Sequence, residues 1–450
     1  MRKEAWTLAI ETLSWMEMQK LSERLALART TKQLGIKDVD AVRFAYTLVC
    51  ETTKRRNFID KFINKVLRAT TIEELDLGVQ AFLRLYVYQS RIAHDWANPN
   101  IKEAATIVKM GRSILGWKAF QRIEFALGNL LTQKPNVVYE DASDAETVGL
   151  KTFHPTWFVK YCFRTFGRAE TLALLEANNK PLPTYIRLNT LKADEKRILE
   201  ALTQDGVTIE KEEQLNQVYK VTSTKKALTL TTSYKEGLFT IQDKATCIIA
   251  ENANPKPGMT VMDVCAAPGA LTTCLAQLMQ NKGTIYSVDY SRRRMRLWKA
   301  RIDHAGVEIA EPLIADASKQ LPIIVQAEVV VLNPPSTSTG LFAKLPSAKW
   351  RLTPDSVEQM AELQWQMLNR SAEYVKPGGT LVYATSSVTV EENETLIERF
   401  LKWHPAFMLD EAVIRESAPS LRRLNKCMRL YPHLHKSSGG FMAKLKRIVP

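Results

Sequence analysis

After Pro257-Gly258 the chain alternates between apolar runs of strand length and stretches with helical period, and that alternation restricts its second half to one kind of architecture. The apolar runs are residues 260–264, 284–288, 329–332 and 380–384. The helical stretches are residues 270–279, 292–305, 354–374 and 391–403. Strands separated by helices predict a parallel sheet covered on both faces. Sheets of this kind bind ligands beyond the carboxyl ends of their strands.

The front of the chain has helical period throughout. Trp6, Ile10 and Leu13 share one face. Phe58, Phe62 and Val66 make a second stripe beside Ile59, Ile63 and Leu67. Leu75, Val79, Phe82, Leu83 and Tyr86 make a third, and Phe120, Ile123, Leu127 and Leu130 a fourth. These are the core stripes of a small helical bundle. Thr71 and Glu74 have the spacing of a capping box at a helix start. Between Gln133 and Gly149 the period fades, and Pro135-Asn136 with the acidic run Glu140-Asp141-Ala142-Ser143-Asp144 reads as a linker. Residues 151–243 mix helix with short strands at 185–188 and 217–221. The expected layout is multidomain: a helical domain over residues 1–135, a small α/β module over 150–243, and an α/β domain over 244–450.

Charge narrows the partner. With 62 Lys and Arg against 48 Asp and Glu, the net charge is +14, which points to a polyanion, nucleic acid before a membrane surface. Basic residues gather at Lys54-Arg55-Arg56, over 292–301 and over 422–447; the plain alternative for each is a solvated helix face. The six cysteines include no CxxC pair, which argues against a disulfide framework or structural zinc and fits a reducing compartment. The N-terminus lacks the apolar run of a signal peptide, and no stretch reaches membrane-spanning length. The cytoplasm is the expected location, and no metal is expected.

The first strand of the second half runs into Cys265-Ala266-Ala267-Pro268-Gly269-Ala270. Small residues there admit a ligand close to the backbone, and the next helix offers free N–H groups to an anion. Asp289 ends the second strand, where an acid can accept from a ribose diol, and Asp316 follows the third, within reach of an adenine edge. The pattern fits an adenosyl group; spacing alone does not separate S-adenosylmethionine (SAM) from a dinucleotide.

The run from Asp263 to Thr273 resembles the SAM loop of the Sun/Fmu family of RNA cytosine-5 methyltransferases, relatives of bacterial 16S ribosomal RNA methyltransferase B. The family usually has Gly and Lys where this chain has Ala270 and Leu271. Further motifs follow in family order: His154-Pro155-Thr156-Trp157-Phe158-Val159, then Tyr185 to Lys192, Phe239-Thr240-Ile241-Gln242-Asp243, Trp350-Arg351, Leu363-Gln364, Lys376 to Thr385, Glu391-Glu392-Asn393, Arg429 to His433, and Gly440-Phe441. The resemblance implies a NusB-like RNA-binding domain, a small RNA-binding module and a Rossmann-like SAM-dependent methyltransferase domain. It implies that Ala266, Ala267, Pro268 and Gly269 wrap the methionine end of SAM, with Cys265 and Asn333 bordering the same pocket. Asp289 then holds the ribose beside Arg294, and Asp316 sits near the adenine. RNA is the implied partner, ribosomal first and transfer RNA second. A base extruded into the pocket would find Phe342 and Trp350 as candidate stacking groups, with buried packing the alternative for each.

The chain departs from the family at the chemistry. The family adds a cysteine to carbon 6 of cytosine, which activates carbon 5 toward the SAM methyl, and a second cysteine assists release. Its nucleophile motif Thr-Cys-Ser reads Thr385-Ser386-Ser387 here, and its Asp-Ala-Pro-Cys reads Asn333-Pro334-Pro335-Ser336. Serine needs an adjacent general base to attack, and neither motif contains a histidine. His304 and His404 read as surface or helix-end residues, and His433 and His435 as packing or RNA-contact residues. Three readings stay open: methyl transfer with altered chemistry around Ser386, Ser336 and Asn333; methylation of an exocyclic amine, since Asn-Pro-Pro at a strand end resembles the motif of amino-methyltransferases; and a non-catalytic SAM- and RNA-binding protein of ribosome or RNA maturation.

Overall fold

The computed structural model describes residues 2–67, 70–94, 96, 99–413 and 417–448; Met1 and Val449-Pro450, which fall in the first and third expected domains, lie outside the described residues. The chain divides into two compact units. One comprises Met1–Lys180 with Lys344–Leu352, and the other Pro181–Ala343 with Thr353–Pro450.

In the first unit the apolar stripes become the inward faces of helices Arg2–Gln19, Val39–Lys54, Arg56–Leu67, Leu77–Val87 and Glu124–Thr132. Trp6, Ile59, Phe62, Phe82 and Phe120 are fully buried, and the Phe82 ring lies 6.2 Å from Trp6 and 5.4 Å from Phe120. Asp38 starts the second of these helices by accepting the Asp40 and Ala41 N–H groups at 2.9 and 3.2 Å. The Thr71 box does not form. Its hydroxyl donates to the Glu74 carboxylate at 3.1 Å, residues Ile72–Glu74 make one 3-10 turn, and the helix starts at Leu77. The stretch read as a linker is also more ordered than its period suggests. Ser143 caps helix Asp144–Thr152 through the Glu146 N–H at 3.3 Å, so part of the acidic run supplies that helix's first turn, where negative charge is favoured.

The nine residues Lys344–Leu352 join this unit by specific bonds. The Ser347 hydroxyl donates to buried Glu23 at 2.9 Å, the Lys349 ammonium to the Phe153 carbonyl at 3.0 Å, and the Trp350 indole to the Thr53 carbonyl at 2.6 Å. Trp350 is therefore half-buried with its polar edge spent. Phe342, in the second unit, is fully buried. Of the two readings given for Phe342, stacking on a base or buried packing, the structure has buried packing: its ring belongs to the core.

The second unit opens with a four-stranded antiparallel sheet, β1 (Tyr185–Leu188), β2 (Val207–Lys211), β3 (Val218–Thr224) and β4 (Phe239–Ile241), in order β2-β3-β1-β4. Arg187 of β1 donates to Gln242 at 3.0 Å and to Thr273 at 3.0 Å, on the helix that follows the cofactor loop. Next come β5 (Thr260–Val264), β6 (Thr284–Asp289), β7 (Ala310–Ile314), β8 (Ala327–Leu332) and β9 (Val375–Thr385), parallel to one another. The short β10 (Phe407–Leu409), β11 (Ala418–Pro419) and β12 (Met428–Leu430) and the long β13 (Gly440–Arg447) extend the sheet antiparallel. The order β7-β6-β5-β8-β9 shows that the chain winds outward from β5 in one direction and then returns to its other side. The crevice for a ligand therefore opens at the carboxyl ends of β5 and β8.

Candidate active site

Strand register brings the expected residues to one edge. Val264 pairs with Val288 on one side and with Leu332 on the other, and Leu332 pairs with Tyr383. One residue further along, Cys265, Asp289 and Asn333 form a transverse row across adjacent strands. Asp316 lies two residues beyond β7, and Ser386 immediately follows β9.

The turn after β5 is built for close approach. Cys265 has φ 67° and Gly269 φ 96°, values that favour glycine at the second position. A Cβ on Gly269 would meet Trp298 Cδ1 at 3.1 Å. Gly269 caps helix Ala270–Leu278 without a side chain, which leaves the helix's first N–H groups for a carboxylate. The Asp289 carboxylate accepts the Ser291 N–H at 3.0 Å and the Ala267 N–H at 3.3 Å, and the Arg294 guanidinium lies 3.3 Å from it while also donating to the Ala267 carbonyl. Loop, acid and arginine are thus one hydrogen-bonded unit. Asp316 is half-exposed and accepts both the N–H and the hydroxyl of Ser318, which hold its carboxyl below the usual range. An uncapped helix N-terminus and an acid at the end of the next strand fit the two ends of SAM.

Behind the loop, buried Asp263 takes the Thr272 hydroxyl at 2.6 Å, and the Trp298 indole donates to that same hydroxyl at 3.1 Å. The other Asp263 oxygen has no hydrogen-bond partner. Burial is the main cause that pushes this carboxyl from the usual 3.8 to about 7. Between those values the folded chain keeps a proton that the unfolded chain has lost, so this group's contribution to stability falls as pH rises through that window. Asp263→Asn is expected to flatten the decline, read as melting temperature against pH for the two proteins. Parallel curves would refute the assignment.

The acceptor side is a buried polar cluster that motif reading did not reveal as a unit. The Glu392 carboxylate, fully buried, accepts the Thr337 N–H at 2.9 Å, the Gln364 amide at 2.9 Å and the Thr337, Ser387 and Thr389 hydroxyls at 2.5, 2.5 and 2.8 Å. Tyr383 adds bonds to Gln364 at 3.1 Å and to the Glu392 carbonyl at 2.7 Å. Gly340 donates its N–H to the Ser386 carbonyl at 3.0 Å, and Asn333 donates its own to the Val264 carbonyl at 3.2 Å. The loop after β8 is thereby tied to both the loop after β9 and the cofactor strand. Ser386 and Asn333 make no side-chain hydrogen bond among the described residues, and Ser336 only accepts the Ser338 N–H at 3.3 Å. The sequence shows Glu391-Glu392-Asn393-Glu394 merely as a polar helix start; the burial that makes Glu392 a hub has no periodic signature.

No thiol or imidazole is hydrogen-bonded to Ser336 or Ser386 among the described residues, and His435 Nδ1 accepts the Tyr431 N–H at 2.9 Å. Burial pushes the Cys265 thiol up to about 12. His304 bonds the Tyr234 carbonyl at 2.8 Å and His404 bonds Asn369 at 2.7 Å. Two of the basic clusters are partly consumed by structure. Lys54 and Arg55 pair with Glu51, Arg56 with Glu17, and Arg429 is fully buried against Glu394, so Arg429 is no RNA contact. Arg292, Arg293 and Arg296 stay exposed and without an ion pair among the described residues.

Residues 250–446 match the family model of the 16S rRNA methyltransferases RsmB/F, and residues 154–226 match that of the ferredoxin-like domain of RsmF/B-like methyltransferases. A probable ribosomal RNA small subunit methyltransferase B of Bacillus subtilis is 27% identical over 98% of both chains. The 25S rRNA (cytosine-C(5))-methyltransferase nop2 of Schizosaccharomyces pombe is 31% identical over 64% of this chain and 50% of its own. The crystal structure of PH0851 superposes with a TM-score of 0.85 at 30% identity, covering 99% of each chain. With a Rossmann-like sheet, a small ferredoxin-like module and the SAM-type loop in register, this chain belongs to the RsmB/F family of SAM-dependent RNA methyltransferases.

Proposed function

We propose that this enzyme methylates a base of ribosomal RNA without forming a thiol adduct on the ring. The observation that carries the proposal is the pair Ser336 and Ser386 on hydrogen-bonded loops, with no thiol or imidazole hydrogen-bonded to either side chain among the described residues. Bound SAM supplies a methyl group on a positive sulfur, an electrophile that needs a lone pair already present on the acceptor. An exocyclic amine offers one, and Asn333 favours that acceptor: its side-chain amide makes no hydrogen bond among the described residues, and the residue leads into Pro334-Pro335 at the end of β8. Its oxygen accepts an amine N–H and orients the nitrogen. As the N–CH3 bond forms and the S–CH3 bond breaks, the sulfur keeps the electron pair as a neutral thioether, and the acidified N–H proton leaves to solvent water. Cys265 to Gly269 hold the methionine end, Asp289 with Arg294 the ribose, and Asp316 borders the adenine. Arg292, Arg293 and Arg296 contact phosphates, giving salt-dependent affinity. The six free cysteines support placing the enzyme in the reducing cytoplasm; no helix of the described residues is long and apolar enough to cross a membrane.

The test incubates the protein with methyl-labelled SAM and unmodified ribosomal RNA, with transfer RNA in parallel. Label on an exocyclic nitrogen is the expected result. Label on cytosine carbon 5 overturns the acceptor assignment. SAM binding with no label in any RNA overturns catalysis and leaves a SAM- and RNA-binding maturation factor.

A further inference from the structure

We propose that Glu392 is the positioning residue that sets the spacing of Ser336 and Ser386, the two acceptor-side serines; this rests on the reading of that edge as the acceptor site. Each serine is one residue from a direct ligand of the Glu392 carboxylate: Ser336 precedes Thr337, and Ser386 precedes Ser387. A carboxylate offers about four lone-pair positions, and this one receives five donors from three segments: the loop after β8, the loop after β9 and, through Gln364, helix Pro354–Glu373. Gln364 extends the clamp, since its amide also donates to the Pro335 carbonyl at 2.8 Å and its oxygen accepts from Tyr383. The two loops follow neighbouring parallel strands, and no strand ladder continues between them past Leu332 and Tyr383. Beyond that row the loops are joined, among the described residues, by the backbone bond from Gly340 N–H to the Ser386 carbonyl and otherwise by side-chain bonds, most of them on Glu392.

The conservative and the truncating variants separate on this geometry. In Glu392→Gln the amide oxygen can keep the Thr337 and Gln364 N–H groups, while its NH2 faces hydroxyls that can rotate to accept. In Glu392→Ala all five donors lose their acceptor. A misplacement of about 1 Å costs on the order of 100-fold in rate. Glu392→Ala is thus expected to lower kcat about 100-fold and Glu392→Gln about 10-fold or less. SAM affinity and the KM for RNA stay within about twofold in both, because neither the cofactor loop nor the exposed arginines touch Glu392.

A second readout needs no activity, so it survives failure of the proposed function. Cysteines are placed at both positions in Ser336→Cys/Ser386→Cys, and a short bifunctional alkylating reagent bridges them. Adding Glu392→Ala should slow bridging about tenfold, less than the loss in kcat because a flexible reagent tolerates part of a shift of about 1 Å, while Ser336→Cys alone and Ser386→Cys alone, each beside the six native cysteines, alkylate the introduced thiol at an unchanged rate. Equal bridging with and without Glu392, or a fall in SAM affinity that matches the fall in kcat, overturns the role.

Discussion

Arg429→Ala is expected to lower the free energy of unfolding by about 3–5 kcal/mol, the cost of leaving one partner of a buried ion pair alone. Arg429 and Glu394 are both without solvent exposure. The guanidinium forks onto the carboxylate with Nε to Oε1 at 2.6 Å and a second bond at 2.5 Å, and its third nitrogen reaches the Val388 carbonyl at 2.9 Å. Glu394 also accepts the Ser420 hydroxyl at 3.1 Å and the Leu421 N–H at 3.0 Å. Truncating the arginine leaves a buried carboxylate that two weaker donors cannot satisfy, and frees a carbonyl in the segment after β9. Denaturant titration should show a lower midpoint with an unchanged slope. Arg429→Met with Glu394→Gln, which removes both charges and keeps most of the volume, should regain much of the loss. A single-variant loss below about 1 kcal/mol, the scale of an exposed pair, would mean the pair is solvated.

That arginine also marks a limit of sequence reading. Its neighbours made it look like one more cation of a phosphate-binding cluster, and nothing in local composition distinguishes a buried guanidinium from an exposed one. The sheet was legible because strand and helix periods are local: β5 is the run 260–264 as read, and the helix Arg292–Ala305 has its expected bounds. Asp289 and Asn333 were legible as strand-end residues for the same reason. What could not be read is which strand ends are neighbours across the sheet, and therefore that Thr337, Gln364, Ser387 and Glu392 share one carboxylate. Thr71 failed as a cap because its hydroxyl found the Glu74 side chain instead of a backbone N–H. Phe342 stayed open between stacking and packing because aromatic residues carry the same signature in a core as at a nucleic-acid surface; it is buried.

Ser386→Cys is expected to turn this chain into one that traps RNA. An ordinary thiol is a few per cent thiolate near neutral pH and intrinsically very nucleophilic, whereas a serine hydroxyl needs a general base, and none is hydrogen-bonded to Ser386 among the described residues. With Ser336 left in place, the residue that corresponds to the family's release cysteine is absent, so a cytosine adduct at position 386 should accumulate as a slowly migrating protein–RNA band. Adding Ser336→Cys and Asn333→Asp restores all three family groups. It should replace that band with cytosine-5 methylation roughly 100-fold or more above the parent protein, equivalent to about 2.7 kcal/mol of barrier. The parent protein should give neither product above the background against which that factor is read. A covalent adduct through the native Ser386 would show that oxygen suffices and would remove the basis for an amine acceptor. If the triple variant binds SAM and RNA with parent affinity yet methylates no carbon, the acceptor ring does not lie over these loops, and the placement of the three residues fails with it.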